Sequence, residues 1–231
     1  MKPIFDNKDN GIKHTVLAAG DLITFGTYPQ TSSGDDNTPI EWLVLDVQED
    51  KALLISKYGL DCQPYDTTKS CSLSWYESTL RDWLNTVFLN RAFSVEEQKL
   101  ICATWLKNRN DQHDFYEDGT LDEDDTQDRV FLLSREEAEN YLGLSSDGNN
   151  DSPARMAPTD YAIEHGAYKD RDHQTGEGKA AGGWWLRSID GPVYPLHVLF
   201  DGSLDACDAG ETLIAVRPAV WISVRIKQAQ E

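Results

Sequence analysis

Residues 193–208, VYPLHVLFDGSLDACD, concentrate aromatic, imidazole and carboxylate side chains in one short stretch. Tyrosine offers rigid apolar area with a hydroxyl group, while histidine and aspartate add directional hydrogen bonds, so these groups suit a recognition surface. The stretch is predicted to be a hairpin that presents one side to a partner. Its candidate ligand-binding residues are Tyr194, His197, Asp201, Asp205 and Asp208.

Two adjacent tryptophans, Trp184 and Trp185, precede this stretch in the sequence GWWLRS. Neighbouring side chains on a strand point to opposite faces, so either both pack in the core, one under each layer, or one of them faces a ligand. Trp184 is the candidate for stacking on a sugar or a peptide ring. Arg187 and Arg217 are predicted to be structural, each paired with one of the many carboxylates.

The acidic segment 111–128 holds nine carboxylates and neither Lys nor Arg. Four aspartates and a glycine in it fall at positions 1, 5, 6, 9 and 12 of an EF-hand-like loop. The weak calcium candidates are Asp114, Asp118, Asp122 and Asp125. Tyr116 occupies position 3, and position 12 is Asp rather than Glu. We therefore favour a solvated acidic loop over a metal site.

Motifs for nucleophilic or redox chemistry have little support in the sequence. The cysteines, at positions 62, 71, 102 and 207, form no Cys-x-x-Cys pair, which argues against zinc or thioredoxin-like chemistry. Buried free thiols are favoured, and a Cys62–Cys71 bridge is the alternative in an oxidising compartment. Neither Gly-x-Ser-x-Gly nor His-Glu-x-x-His occurs. We expect no cofactor.

The charge balance excludes two classes of partner. The chain has 231 residues, with 21 Lys and Arg against 40 Asp and Glu, and its formal net charge is −19. Such a protein repels phosphate backbones and anionic membrane surfaces, so we expect neither nucleic acid nor a membrane as partner. No apolar run is long enough for membrane insertion, and the N-terminus lacks a signal-peptide core. The expected localisation is cytoplasmic by default.

The elements that must position these residues follow from apolar periodicity. Alternation predicts an N-terminal β-meander and a second group of strands near the C-terminus, and the outer groups are expected to pair and close the unit. The predicted strands are 22–28, 40–47, 51–60, 130–133, 184–188, 193–200 and 215–224, with a turn at Asp201-Gly202. The polar, glycine-rich segment 169–183 is predicted to be an exposed loop.

Serine–glutamate pairs three residues apart predict the starts of three helices. The pairs are Ser74 and Glu77, Ser94 and Glu97, and Ser134 and Glu137, and the second run is expected to reach Trp105. A fourth helix is predicted from Thr159 to His165, with Gly166 after its end. The order of strands, helices and strands predicts one α+β domain over 19–226. Residues 1–18 would be an extension and 227–231 a tail.

Several of these segments together resemble a bacterial family, domain of unknown function 6273. The segments that carry the resemblance include GDLITFGTYPQ (20–30), PIEWLVLDV (39–47), LRDWLN (80–85), DRVFLLSREEAENY (128–141), GWWLRS (183–188) and AVRPAVW (215–221). The resemblance covers roughly residues 19–224. It implies a fold similar to the formylglycine-generating-enzyme branch of C-type lectin-like folds, with antiparallel hairpin-rich sheets flanked by three to four helices. In that branch the Trp-rich strand pairs with the final Val-Arg-Pro strand.

The resemblance implies a fold and supplies no activity. The thiol pair that binds copper in the formylglycine-generating enzyme has no match, because only Cys207 lies in the C-terminal region. We therefore expect a non-enzymatic domain that recognises a protein or a glycan through the C-terminal hairpin face. Related lectin-like folds carry hypervariable positions there, in proteins diversified by retroelements, and the sequence leaves such a diversified protein open. It is also compatible with an enzyme that uses the same face, or with a structural module of a larger assembly.

Overall fold

The computed structural model describes residues 17–68, 73–108, 125–144 and 153–224, and the backbone of three short strands nearer the N-terminus. The strands are β1 (Lys2–Pro3), β2 (Phe5–Asp6), β3 (Gly11–Ile12), β4 (Leu22–Tyr28), β5 (Thr38–Gln48), β6 (Lys51–Ser56), β7 (Asp61–Cys62), β8 (Thr104–Leu106), β9 (Thr126–Asp128), β10 (Asp170–Gln174), β11 (Ala180–Ala181), β12 (Trp184–Asp190), β13 (Tyr194–Val198), β14 (Leu204–Ala206), β15 (Ala215–Val216) and β16 (Ala219–Ser223). Most pair antiparallel, as the sequence predicts.

The first five-stranded sheet has the order β1-β4-β5-β6-β16. Apart from the parallel pair β1–β4, its neighbours are antiparallel. Residues 49 and 50 form the predicted turn between β5 and β6, and Glu49 adopts a positive φ of 39° there. The antiparallel pairing of β16 with β6 confirms the predicted pairing of C-terminal with N-terminal strands.

The second five-stranded sheet has the order β14-β13-β12-β15-β7. The tryptophan strand β12 pairs with β15 through Trp184 and Ala215, in parallel. The predicted strand over 215–224 is in fact two strands in two sheets, because Pro218 lacks an N–H group and the chain changes sheet at Arg217 and Pro218.

Four helices occur within the described ranges. The first is continuous and has the parts Thr79–Trp83 (α), Leu84–Phe88 (π) and Leu89–Ala92 (α), and the others are Val95–Gln98, Arg135–Leu142 and Asp160–Glu164. The mixed α+β class and the predicted number of helices are confirmed.

Helix boundaries differ from the predictions at the first two serine–glutamate pairs. Ser74 Oγ does accept from the Glu77 N–H, but the helix starts only after Ser78, which is its N-cap. The second helix ends at Gln98, and Trp105 lies exposed on β8. The second helix cannot continue, because Cys102 N donates to the carbonyl oxygen of Trp221 at 2.8 Å and so pairs the chain with β16.

The chain passes between the two sheets twice, and the two crossings lie side by side. Residues 57–60 connect β6 to β7, and Arg217 with Pro218 connects β15 to β16. Ser56 N donates to the Pro218 carbonyl oxygen and Leu60 N to the Val216 carbonyl oxygen, both at 2.9 Å. One buried cluster includes side chains of both sheets and of the long helix. The junction of the sheets is therefore a rigid place for functional side chains.

Candidate functional site

Two adjoining clefts lie at the junction of the sheets, on either side of Tyr58. The Arg217 cleft has a volume of about 300 Å³ and is lined by Leu22, Leu43, Lys57, Tyr58, Pro153, Arg155, Ala157, Thr175, Gly176, Glu177 and Arg217. The Thr159 cleft has a volume of about 380 Å³ and is lined by Gln30, Tyr58, Ala157, Pro158, Thr159, Asp160, Ile163, Lys169, Lys179 and Ala180. Both are within the usual size of small-molecule sites.

Backbone pairing fixes the wall that the clefts share. Gly59 N donates to the Ala157 carbonyl oxygen at 3.1 Å, and Thr159 N donates to the Gly59 carbonyl oxygen at 2.9 Å. A Cβ atom at Gly59 would lie 2.7 Å from the Cβ of Ala215. Only glycine therefore allows the first crossing to approach β15 this closely.

The hairpin β10–β11 supplies the opposite wall, where the sequence predicts an exposed loop. Asp170 pairs with Ala181 and Gln174 with Ala180, and the turn between them carries Glu177. The prediction of a loop over 169–183 is wrong for the two strand segments. The polar composition that suggested a loop belongs to side chains that face solvent and the clefts.

An ion-pair network crosses the mouth of the clefts from Lys57. Its Nζ lies 3.0 Å from Glu41 Oε2 and 2.7 Å from Glu177 Oε1. Burial opposes the charged form of Lys57, but the hydrogen bonds with both glutamates raise its pKa. The same contact with Lys57 lowers the pKa of Glu177. The network holds the β10–β11 turn against the first crossing, more than a hundred residues away in sequence.

Tyr58 is at the centre of this network. Its hydroxyl accepts from Lys179 Nζ at 2.8 Å and donates to Glu177 Oε2 at 3.2 Å. The Nζ atoms of Lys179 and Lys57 lie 4.1 and 5.1 Å from the ring centroid, within cation–π range. The tyrosine is thereby fixed between the clefts as a rigid aromatic wall.

The clefts are basic although the protein is strongly acidic. Five basic side chains line them against two acidic ones, Asp160 and Glu177, whereas the whole chain carries 21 basic and 40 acidic residues. The basic residues are Lys57, Arg155, Lys169, Lys179 and Arg217. A local reversal of the protein's overall charge attracts anions to this one place.

The C-terminal hairpin places three predicted ligand residues at the surface. Tyr194 is 51% exposed, and Asp205 and Asp208 are also exposed. Asp201 is half-buried, and its carboxylate accepts from the backbone and the hydroxyl of Ser203. Hydrogen bonds from Ser203 keep the pKa of Asp201 low against the opposing effect of burial. Its carbonyl oxygen accepts from Arg155 Nε at 3.0 Å, so the hairpin turn adjoins the Arg217 cleft.

Two of the candidate ligand residues, His197 and Trp184, are buried, so the expected exposure of His197 is wrong. His197 is 5% exposed because its ring packs edge-on against Trp185, with centroids 5.8 Å apart. Trp184 is fully buried, and its Nε1 donates to the Ala154 carbonyl oxygen at 2.8 Å. Of the two interpretations of the tryptophan pair, the structure supports the one in which both are core.

The predicted carboxylate partner is present for Arg187, and none is found for Arg217 in the described part of the chain. Arg187 pairs with Glu137, whose Oε1 accepts from Nη2 at 3.1 Å. Arg217, by contrast, donates to backbone carbonyl oxygens and has no carboxylate partner among the described residues. Its guanidinium carbon lies 4.8 Å from the Trp184 ring.

The described cysteines are free thiols. Cys62 is buried, and its Sγ donates to the Thr212 carbonyl oxygen at 3.0 Å, as the free-thiol interpretation predicts. Cys71, the other half of the alternative bridge, lies outside the described residues. Burial raises the pKa of Cys62 and of Cys207 to about 12, and Asp61 and Glu211 respectively add to the shift. Both thiols are therefore protonated and weakly nucleophilic at neutral pH.

Only one of the four calcium candidates falls within the described residues. Asp114, Asp118 and Asp122 lie outside them, and Asp125 accepts from the backbone N–H of Asn108 at 3.0 Å. In the part of the chain that is described, no group of three or more His, Cys, Asp or Glu side chains is arranged to hold a metal ion.

Sequence patterns do not point to the residues that build the clefts, chiefly Lys57, Tyr58, Glu177 and Lys179. These residues are ordinary surface types, and they come together only through the sheet junction. One available signal was Arg217, a charged residue within the otherwise apolar run AVRPAVW. Such a residue at the centre of an apolar strand needs a specific reason.

Among the described residues, no helix has the length and apolar character needed to cross a bilayer.

Comparison with known proteins gives a family and no closer relative. Searches of the curated proteins and of the solved structures found no match. The family model described as "Domain of unknown function (DUF6273)" matches residues 49–224, which is more than half of the chain. The chain therefore belongs to the DUF6273 family.

Proposed function

We propose that this protein is a non-enzymatic ligand-binding domain whose site is the pair of clefts flanking Tyr58. The observation that carries the proposal is the gathering of five basic side chains around these clefts in a protein of net charge −19. Cation-rich clefts raise the local concentration of anions, and a fixed aromatic wall offers a stacking surface. A protein segment or a glycan with an anionic group matches these features.

The C-terminal hairpin face is the second candidate site. Tyr194 is half exposed at the start of β13, and Asp205 and Asp208 lie exposed on the neighbouring part of the hairpin. Exposed tyrosine beside polar groups favours a protein partner. Catalysis at this face has less support, because His197 is buried and the Cys207 thiol is protonated at neutral pH.

The lectin-like architecture is part of the same proposal. Its support is the C-terminal hairpin sheet, in which the tryptophan strand pairs with the start of the Ala-Val-Arg-Pro segment. A crystal structure of the chain, superposed on C-type lectin-like domains, tests it. Agreement of the strand order in both sheets is the expected result, and a different order would refute the likeness.

The experiment that separates the two sites is a binding screen with two matched tyrosine variants. Peptide and glycan arrays and a small-molecule fragment library are screened with the wild-type chain, Tyr58→Ala and Tyr194→Ala. We expect ligands that Tyr58→Ala loses and Tyr194→Ala retains. The reverse pattern moves the site to the hairpin. A wild-type chain that binds nothing in any of the three screens would contradict ligand binding at either site.

A further inference from the structure

Arg217 is a buried cation without a carboxylate counter-charge among the described residues. Its side chain is only 2% exposed. Nε donates to the Ser56 carbonyl oxygen at 2.9 Å, and Nη1 donates to those of Pro153 and Ala154 at 3.2 and 3.4 Å. Burial lowers its pKa, and none of the described groups opposes that shift. Burying a charge without a partner costs stability, so a buried guanidinium with no carboxylate partner in the described part of the chain calls for an explanation.

Arg187 is a second buried arginine of this fold and serves as the comparison for Arg217. It is 5% exposed, it donates to the Leu132 carbonyl oxygen at 2.9 Å, and it pairs with Glu137 through both Nη atoms. The two arginines are therefore alike in burial and in their backbone hydrogen bonds. They differ in that Arg187 has a carboxylate from its own chain and Arg217 lines a cleft instead.

One nitrogen of Arg217 is left for a ligand. The guanidinium has five N–H groups, and its bonds to described residues use Nε and Nη1. Nη2 donates to none of the described residues, and Arg217 forms part of the cleft lining. The guanidinium carbon lies 4.8 Å from the Trp184 ring centroid, and this cation–π contact adds to the hydrogen bonds that hold the side chain. A donor fixed in this way is preorganised for an oxyanion.

The charges and walls of the Arg217 cleft favour an anion with one charge. Lys57, Arg155 and Arg217 carry three positive charges here, and Glu41 and Glu177, which both contact Lys57, carry two negative ones, so one positive charge is left over among these side chains. Apolar side chains, including Leu22 and Leu43, line the same cleft. A phosphate dianion would leave excess negative charge beside Glu177. A carboxylate on a short apolar body would match both the charge and the walls.

We propose that the Arg217 cleft binds a small molecule with an apolar body and one carboxylate, which accepts hydrogen bonds from Arg217. The inference rests on the proposed function, because it assigns the ligand chemistry of one of the same clefts. A cavity of about 300 Å³ holds a molecule the size of an N-acylated amino acid. The carboxylate supplies the counter-charge that Glu137 supplies for Arg187.

The first test titrates the full chain with N-acetyl-leucine, its uncharged analogue N-acetyl-leucinamide, and inorganic phosphate. Isothermal calorimetry measures the three affinities. We expect the acid to bind at least about tenfold more tightly than the amide, since a charge-assisted hydrogen bond is lost in the amide. Equal affinities for acid and amide would overturn the carboxylate inference and leave the proposed cleft intact. Tighter binding of phosphate would also overturn it.

The second test alters the cleft without touching Arg217, because Arg217→Gln removes three backbone hydrogen bonds and risks unfolding. Leu22 lines the cleft and is 38% exposed, so it tolerates a polar side chain. Both Leu22→Glu and Leu22→Gln remove the same apolar contact, so only the charge distinguishes them. We expect Leu22→Glu to weaken binding of N-acetyl-leucine at least about tenfold more than Leu22→Gln does, by charge repulsion. Equal losses in the two variants would refute a role for charge. If neither the acid nor the amide binds the wild type, the inference fails. The array and fragment screens then decide separately whether the clefts bind anything else.

Discussion

At the scale of single residues, the burial of His197 predicts how stability depends on pH. Burial lowers its pKa, although Asp205 and Glu211 oppose the shift. The unfolded chain therefore binds a proton that the folded protein excludes, and stability falls as the pH drops through the unfolded-state value of about 6.5. We expect urea unfolding midpoints to decrease on acidification through this range, and less steeply in His197→Gln than in the wild type.

His173 provides the matched control for this pH dependence. Its side chain is 38% exposed and lies beside Asp170, far less buried than that of His197. The variant His173→Gln should keep the part of the pH slope that His197 causes. A slope in His197→Gln as steep as that of the wild type would show that other groups cause it.

Substitutions of two aromatic residues of the C-terminal sheet should have very different effects on stability. Trp185 is fully buried, and its Nε1 donates to the Gln63 carbonyl oxygen at 3.0 Å, whereas Tyr194 is half exposed. We expect Trp185→Ala to lower the free energy of unfolding by about 3–5 kcal/mol. Tyr194→Ala should change it by about 0.5 kcal/mol or less. Denaturant titrations measure both values, and a large loss in Tyr194→Ala would mean that the hairpin face is covered.

At the scale of elements, two capping boxes differ in what else their glutamates contact. Ser94 with Glu97 and Ser134 with Glu137 both exchange side-chain and backbone hydrogen bonds at their helix starts. Glu137 additionally pairs with the buried Arg187, so it anchors its helix to β12. We expect Glu137→Gln to cost about 1–3 kcal/mol of stability, because a buried guanidinium loses its counter-charge.

Glu97→Gln is the control for this prediction, since its amide oxygen still accepts from the Ser94 N–H and no arginine is left unpaired. It loses one further hydrogen bond, because Glu97 Oε1 accepts from the Gly26 N–H at 3.1 Å. A smaller loss, of about 1 kcal/mol or less, is expected there, because only one backbone hydrogen bond is lost. Chemical denaturation of both variants gives the comparison. Equal losses would mean that the cap, and not the ion pair, determines the contribution of Glu137.

At the scale of the whole molecule, the two crossings between sheets predict cooperative unfolding. Each five-stranded sheet contains strands from both the N-terminal and the C-terminal half, for example β6 with β16 and β7 with β15. The N-terminal and C-terminal halves of the chain therefore cannot unfold one after the other without breaking strand pairs in both sheets. We expect one thermal transition, with coincident midpoints by circular dichroism and tryptophan fluorescence. Two separate transitions, or a protease-resistant fragment lacking residues 1–110, would contradict this expectation.

Metal removal gives a second prediction for the whole molecule. The acidic segment 111–128 lacks a complete EF-hand ligand set, and a chain of this length sustains a core without metal. Adding a chelator such as EDTA should therefore leave the melting temperature unchanged. A fall of about 10 °C would be larger than the loss of one minor contact causes, and it would implicate the four aspartates as ligands.

The sequence by itself determined the local parts of this protein. The capping boxes at Ser94 and Ser134 and the cap at Thr159 depend on contacts between residues three apart, so the residue pattern is enough to locate them. The alternating strand β4 and the turns at Glu49 and Gly202 follow from the same short range. The family resemblance and the α+β class also came from residue order alone.

Only the tertiary structure decided which side chains are exposed and which distant ones meet. His197 is polar and sits in an alternating strand, yet Trp185 covers it, so sequence alternation predicted the wrong exposure. Arg217 reaches the carbonyl oxygen of Ser56 across 161 residues, and Lys57 meets Glu177 through a hairpin turn. Such contacts depend on how two sheets share their strands. No short-range pattern encodes that arrangement, because it is set by the packing of the whole core.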